Sequence, residues 1–383
     1  MADPQVPAQP NQGFLARAPE LVLLVAGLYV VAIALLPIPV IQRFFIYQHR
    51  ANEPFHGNYA VPERYVLAPG KTLNLGIRTP DNITLGAWFI LADPCYQSLR
   101  ASAAEPLSQP SLETIEDAIK SRPTMLYLHG AFGSRSTSWR IQHYIAWTAR
   151  LKINVFAIDY RGFGDSSGSP YKDEEDVFIL GHSLGTGVSG KLAPRLERKG
   201  VKPRGVVLLA PFSSVSSLIE TFEIWGIPIL RPLQSFSLGR KFLKSAAREV
   251  YDTLSVINEF NAPILIAHAT DDREVPYSHS RTLIDKLLNQ LLPPEFPIPG
   301  EPGTPVPHEH AQALAQAQKK RSDAHAALVR KVDVPEFGTV EQFEGTSGTV
   351  VYVQAHWGAH GFVGLQEGVQ DVIASTLKLG VHA

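Results

Sequence analysis

A single cysteine, Cys95, is all that 383 residues carry, so no internal disulfide can form and no cysteine-based zinc site is available. Cys95 lies in Asp93-Pro-Cys-Tyr-Gln, far along the chain from any histidine-rich loop, and reads as an inert thiol rather than a nucleophile. Charge of one sign is also lacking. The formal net charge is −1, which gives no reason to expect nucleic acid or another polyanion as partner. The chain has no Gly-Lys-Ser/Thr after its glycine-rich loop, which argues against a phosphate-binding loop. Nothing in the pattern asks for a cofactor. His308-Glu-His310 invites a metal reading, but two histidines on a polar segment read more simply as surface residues.

One long apolar run stands out against this ordinary composition. Leu21 to Ile41 holds no charged residue, and its 21 positions match the ~20 that a helix needs to cross a bilayer. The run ends in Pro37-Ile-Pro39 and then Arg43-Phe-Phe-Ile-Tyr, aromatics suited to a membrane interface. Residues 21–41 are therefore expected to be a single-pass transmembrane anchor, preceded by a disordered Pro- and Gln-rich tail over 1–20. Arg17 stands before the run and Arg43 and Arg50 after it, so charge does not fix the orientation. The sequon Asn82-Ile83-Thr84 would permit a lumenal catalytic domain.

The catalytic domain is expected over 60–383. Two alternating segments, Tyr65 to Ile77 and Ile83 to Leu91, flank an Asp81-Asn82 turn and predict an antiparallel pair. The following strands are of another kind. Thr124-Met-Leu-Tyr-Leu, Asn154-Val-Phe-Ala-Ile, Asp176-Val-Phe-Ile-Leu, Gly205 to Ala210, Ile264 to His268 and Thr349 to Val353 are near-continuous apolar runs. Such runs mark parallel strands buried on both faces. Helical patterns between them, such as Trp139 to Leu151 and Thr186 to Lys199, predict an α/β fold with a mostly parallel sheet flanked by helices. Two stretches interrupt this order. Residues 211–261 hold Trp225 among other apolar residues and read as a helix on the sheet or as a lid over a site. Residues 291–345 read as a surface insertion, part disordered and part polar helix.

Gly181-His-Ser183-Leu-Gly185 fits G-x-S-x-G. The pentapeptide alone is weak evidence. It gains weight because it follows one of the buried strands and opens a helix, which is the placement a nucleophile elbow requires. Ser183 is then the expected nucleophile, at a helix N-terminus that favours developing negative charge. His129-Gly-Ala-Phe-Gly follows the strand Thr124 to Leu128, so the N–H groups of Ala131 and Leu184 are the expected oxyanion donors. The acid and base should follow in the order Asp or Glu, then His. After Ile264 to His268 come Asp271 and Asp272. The spacing His-x-x-x-Asp-x-x-Val-Pro favours Asp272, with Asp271 as the alternative. After the last strand, His360 is preferred as base over His356, and His182 is expected to pack under the elbow. His129, Phe132 and Trp225 are expected to touch substrate.

Arg161-Gly-Phe-Gly-Asp165-Ser-Ser-Gly, His129 to Arg135, Gly181 to Gly187, His268-Ala-Thr-Asp-Asp272 and His360-Gly-Phe-Val together resemble the family of α/β-hydrolase domain-containing protein 12, across roughly residues 20–380. The resemblance implies the α/β-hydrolase fold and a membrane-anchored serine hydrolase of the endoplasmic reticulum, its catalytic domain lumenal. Its substrates would be lysophosphatidylserine or monoacylglycerol esters. Leu365 stands where a His-x-x-x-x-Asp acyltransferase motif would need Asp, so that activity is not expected. A thioesterase or a peptidase on the same three residues is the alternative chemistry. One departure from the family matters. Only Ser169 to Glu175 separate Gly168 from the strand before the elbow, where the family has a full crossover helix. Seven residues span at most ~25 Å. The sequence therefore predicts a sheet with one face short of cover, at a cost on the order of several kcal/mol. On this view the chain could also be a hydrolase-fold protein with impaired turnover.

Overall fold

The computed structural model describes residues 14–35, 38, 41, 47–48, 57–79, 82–103, 109–167, 178–200, 203–221, 230–246, 251–296 and 308–379. Trp225, the interval Ser169 to Glu175 and the tail before Phe14 lie outside the described residues.

Ten strands form one sheet in the order β1-β2-β4-β3-β5-β6-β7-β10-β9-β8. They are β1 (Thr72–Arg78), β2 (Thr84–Ile90), β3 (Thr124–Leu128), β4 (Asn154–Ile158), β5 (Phe178–His182), β6 (Val206–Leu209), β7 (Ile264–Ala269), β8 (Arg330–Val334), β9 (Gly338–Gly345) and β10 (Gly348–Ala355). The six apolar runs form the run of parallel strands β4-β3-β5-β6-β7-β10. The β1–β2 hairpin adds an antiparallel edge beside β4. Alternation along β7 shows why these runs are apolar throughout. Leu265 and Ala267 join the core on one side of the sheet, while Ile264 and Ile266 join the core on the other.

The helices that matter for the site are α1 (Phe14–Leu35), α2 (Asp93–Ser102), α3 (Leu112–Ser121), α4 (Ser138–Ala146), α5 (Leu184–Arg198), α6 (Val215–Thr221), α7 (Ser237–Ala246), α8 (Ser278–Asn289), α9 (His308–Leu328) and α10 (Glu367–Thr376). Helix α5 starts directly at the end of β5 and packs back on β5, β6 and β3, which fixes Ser183 at the carboxyl end of the sheet.

Two expectations need correction. Residues 291–345 carry the expected polar helix, and after it strands that the sequence did not predict. They hold the polar helix α9 and then the strands β8 and β9, which extend the sheet antiparallel beyond β10. Every residue of β8 is exposed, so the strand carries no apolar alternation for a sequence pattern to reveal. The tail expected over 1–20 is already helical from Phe14. Of the strand expected from Asp176, the first two residues lie outside the described residues, and β5 is described from Phe178.

The N-terminal run also differs from the expected span. Among the described residues no helix is long and apolar enough to cross a membrane. Helix α1 stops at Leu35, shortly before Pro37 and Pro39. From Leu21 to Leu35 it would rise only ~21 Å at 1.5 Å per residue, against ~30 Å of bilayer hydrocarbon. Its apolar side chains are nonetheless open to solvent: Leu21, Val22, Leu23, Leu24, Leu28 and Val30 are all at least half exposed.

Strand β4 bears on the predicted loss of cover. Val155 and Ala157 point to one face and are fully buried. Phe156 and Ile158 point to the other and are only part-buried. The neighbouring strand β3, and β7 further across the sheet, are buried at every position. Among the described residues, the thinner cover on β4 lies on the face of Phe156 and Ile158, the second of which stands at the carboxyl end of the strand.

Candidate active site

The turn from β5 into α5 places Ser183 at φ 53°, ψ −120°, a conformation that costs a side chain about 1–3 kcal/mol and survives only where packing enforces it. The packing is visible at Gly185. A Cβ there would lie 2.1 Å from the Leu128 carbonyl oxygen, so only glycine lets α5 lie this close to β3. Ser183 is held from behind as well, its N–H donating to the Leu209 carbonyl at 3.0 Å.

The Ser183 hydroxyl lies 2.7 Å from His360 Nε2, and His360 Nδ1 lies 2.8 Å from Asp272 Oδ2. A carboxylate can only accept, so Nδ1 carries the ring proton and Nε2 is left free to accept from Ser183. His360 sits in the short turn Ala359–Phe362 after β10, and Asp272 in the loop after β7. Strands β5, β7 and β10 run parallel, so all three loops emerge at the same end.

Asp272 is buried and held at both oxygens. Its Oδ1 accepts the N–H groups of Glu274 and Val275 at 2.8 and 2.9 Å. Its Oδ2 accepts from His360 and also from His268 Nε2 at 3.0 Å. Burial alone would raise this carboxyl, but the bonds from His268 and His360 outweigh it and hold Asp272 well below the usual carboxylate range. Burial pushes His360 down, but the bond to Asp272, the Asp272 charge and the charge of Glu274 leave it above its ordinary value.

The two carboxylates left open by the sequence have separate places. Asp272 meets the imidazole, whereas Asp271 Oδ1 accepts the Ala359 N–H at 2.7 Å and so shapes the turn that presents His360. His356 is exposed, its backbone tied to Phe337 and Thr270. His182 is buried beneath the elbow, and its Nε2 donates to the His360 carbonyl at 2.8 Å. His268 was not singled out from the sequence as a site residue, although it opens the His-x-x-x-Asp spacing. Besides Asp272 it reaches the Val275 carbonyl and accepts from Ser280 of α8 at 2.5 Å.

The loop after β3 lies against the nucleophile, because a Cβ on Gly130 would come within 3.1 Å of Ser183 Cβ. Ala131 and Leu184, the expected oxyanion donors, stand in that loop and at the first turn of α5. Phe132 is part-buried, at φ 63°, with its ring stacked on Trp139. Its N–H donates to the Tyr47 carbonyl at 3.1 Å. His129, expected to touch substrate, does not face the site. It is fully buried behind the loop against Tyr160 and Phe163, with Nε2 3.3 Å from Asp159. A side chain pointing into the core from the strand end cannot meet a ligand, and His129 instead holds the base of the loop.

A mostly parallel sheet with its helices, and with a serine elbow, an acid loop and a histidine loop at one end, is the α/β-hydrolase architecture, and the chain is a carboxylic-ester hydrolase of that class. It is related to the α/β-hydrolase domain-containing protein 12 family. Lysophosphatidylserine lipase ABHD12 of Danio rerio is 26% identical over 292 residues, covering 71% of this chain and 73% of its own. The Rattus norvegicus protein of the same name is 27% identical, covering 70% and 69%. Protein ABHD12B of Homo sapiens is 27% identical, covering 64% and 69%. No family model matches the chain. Among solved structures, an α/β hydrolase from Vibrio vulnificus is similar at a TM-score of 0.43 and 15% identity, over 80% of this chain and 81% of that one.

Proposed function

We propose that the chain is a serine hydrolase that removes the acyl group from a lysophospholipid or monoacylglycerol. The observation that carries the reading is the row Ser183–His360–Asp272, linked at 2.7 and 2.8 Å. Ser183 Oγ attacks the ester carbonyl while His360 Nε2 takes its proton. The oxyanion rests on the N–H groups of Ala131 and Leu184. His360 returns the proton to the leaving alcohol, and water then releases the fatty acid from Ser183. Asp272 fixes the tautomer of His360 and stabilises its cation. No cofactor enters these steps.

The lipid substrate is supported by the similarity to lysophosphatidylserine lipases and by the exposed apolar side chains of α1. In this reading the run 21–41 holds the protein at a membrane, that of the endoplasmic reticulum with the catalytic domain lumenal. A fluorophosphonate probe labels the full-length chain and not Ser183→Ala; equal labelling of both ends the proposal. A panel of long-chain monoacylglycerol, lysophospholipid, acyl-CoA and peptide ester separates the lipase from a thioesterase or peptidase. For the membrane, alkaline carbonate should leave the full chain in the pellet; release into the supernatant would count against the anchor.

A further inference from the structure

Arg140, on α4, is almost fully buried, and no step above uses it. Among the described residues no carboxylate lies within ion-pairing distance of it. Its guanidinium is spent on backbone carbonyls instead. Nη2 donates to Gly130, Ala131 and Phe132 at 3.1, 3.0 and 2.7 Å, and Nη1 donates to Ser134 at 2.7 Å. A single cation thus gathers three successive carbonyls of the loop after β3. Only arginine offers that many donors in one rigid plane.

The consequence follows from the trans peptide. Within one planar unit the carbonyl of residue i and the N–H of residue i+1 point in opposite directions. With the Gly130 carbonyl turned to Arg140, the Ala131 N–H must point away from it. Gly130 itself lies against Ser183 Cβ, so the loop borders the nucleophile. The next unit obeys the same rule. The Ala131 carbonyl also faces Arg140, and the Phe132 N–H points away to the Tyr47 carbonyl. Of these two N–H groups, Phe132's is taken and Ala131's has no backbone partner among the described residues.

We propose that Arg140 is the positioning residue of the oxyanion hole: by drawing the carbonyls of Gly130, Ala131, Phe132 and Ser134 inward, it aims the Ala131 N–H at the oxygen that becomes negative when Ser183 attacks. The proposal rests on the reading of Ser183 as nucleophile and Ala131 as oxyanion donor. In the step concerned, Ser183 Oγ bonds to the acyl carbon, the carbonyl π pair moves onto oxygen, and the Ser183 proton passes to His360. Arg140 touches none of these atoms and acts through the peptide plane. Its buried charge adds a favourable field toward the oxyanion in the same low-dielectric pocket.

The test compares a short-chain nitrophenyl ester with its thionoester, using the full-length chain in detergent. Sulfur accepts N–H bonds poorly, so a working oxyanion hole favours the oxygen ester and a broken one loses that preference. Arg140→Lys keeps the charge but cannot hold four carbonyls, and Arg140→Gln removes the charge as well. Both should lower kcat for the oxygen ester about 100-fold with little change in KM, and the oxygen-to-sulfur rate ratio should fall at least about tenfold. Should the glutamine variant fail to fold, the lysine variant carries the test. An unchanged ratio in a folded Arg140→Lys, whatever its overall rate, overturns the proposal. Ala131→Pro, which deletes the N–H itself, separates the two levels. If it collapses the ratio while Arg140→Lys does not, only the role of Arg140 is wrong. If it leaves both rate and ratio intact, the oxyanion reading is wrong and Arg140's role falls with it.

Discussion

Asp159 and Asp272 are both buried carboxylates at the carboxyl ends of parallel strands, and each faces a histidine. Their surroundings set them apart. Asp159 accepts from the Arg135 guanidinium at 2.5 Å and from the Arg135 N–H at 2.6 Å, so a permanent cation neutralises it. Its histidine, His129, is pushed down from its ordinary value by burial and by the charge of Arg140. Asp272 has no permanent cation against it among the described residues. Its partners are two imidazoles and two backbone N–H groups. Its charge is therefore available to His360, which is held above its ordinary value and reaches Ser183. A buried His–Asp pair is structural when an arginine has already taken the carboxylate. It is equipped for catalysis when the imidazole is the only group that can gain charge.

The largest expected effect breaks this comparison in two directions. Asp272→Asn should lower kcat about 10⁴-fold while the unfolding transition is kept, because the amide can no longer hold the reactive tautomer. Asp159→Asn should instead destabilise the fold by about 3 kcal/mol, since it weakens the compensation of a buried guanidinium. Urea unfolding and steady-state kinetics on both variants decide the matter. A stable Asp159→Asn with kcat reduced as far as in Asp272→Asn would erase the distinction.

A smaller effect is expected at His268. It is the second imidazole on Asp272 Oδ2 and links the acid loop to α8 through Ser280. His268→Gln keeps a donor but loses the ring's fit between these partners. A bond to a charged group contributes about 1.5–3 kcal/mol, so kcat should fall on the order of tenfold, with KM unaltered. A variant with full kcat would show that the two backbone N–H groups hold Asp272 by themselves.

The sheet offers a parallel contrast. The loops that carry the site are densely bonded, whereas Phe156 and Ile158 on β4 are only part-buried. Thin cover near β4 should lower global stability without loosening the site. The expected melting transition of the soluble part therefore lies below about 50 °C, at or under the bottom of the range common for mesophile domains. A sharp transition above that temperature would show the thinner cover on this face of β4 to be harmless.

How much of this could be read in the chain depended on burial. The six parallel strands announced themselves because both faces of each are apolar. The elbow announced itself because glycine is required where Gly185 meets Leu128. The order and spacing of Asp272 and His360 were readable for the same reason that Asp271 was hard to dismiss: neighbouring carboxylates differ only in which way the loop turns them. Strands β8 and β9 gave little signal, since β8 is exposed throughout and pairs by backbone alone. Arg140 was invisible because its partners are carbonyls, which every residue owns. His129 misled because a histidine at a strand end can face either the site or the core, and Asp159 and the rings of Tyr160 and Phe163 decide that.

The smallest effect tests the electrostatics directly. His360 must be neutral to take the Ser183 proton, so kcat/KM should fall as pH drops through the imidazole's value in the free enzyme. That value is raised, which places the midpoint of the acid limb above the ordinary 6.5 of histidine, with the activity lost on the acid side. Burial works against this, and the Asp272 bond and charge work for it, with Glu274 as the lesser contributor. Glu274 Oε2 lies 3.9 Å from Nε2, but its side chain is 75% exposed, so solvent screens most of its pull. Glu274→Gln should therefore move the acid limb slightly downward, leave the plateau unchanged, and lose its effect in high salt. His268→Gln should move the limb by a different route, since it alters Asp272 rather than the field at Nε2, and salt should not abolish that shift. A Glu274→Gln profile identical to wild type at low salt would assign the whole rise in His360 to Asp272, which is the sharper form of the contrast with Asp159.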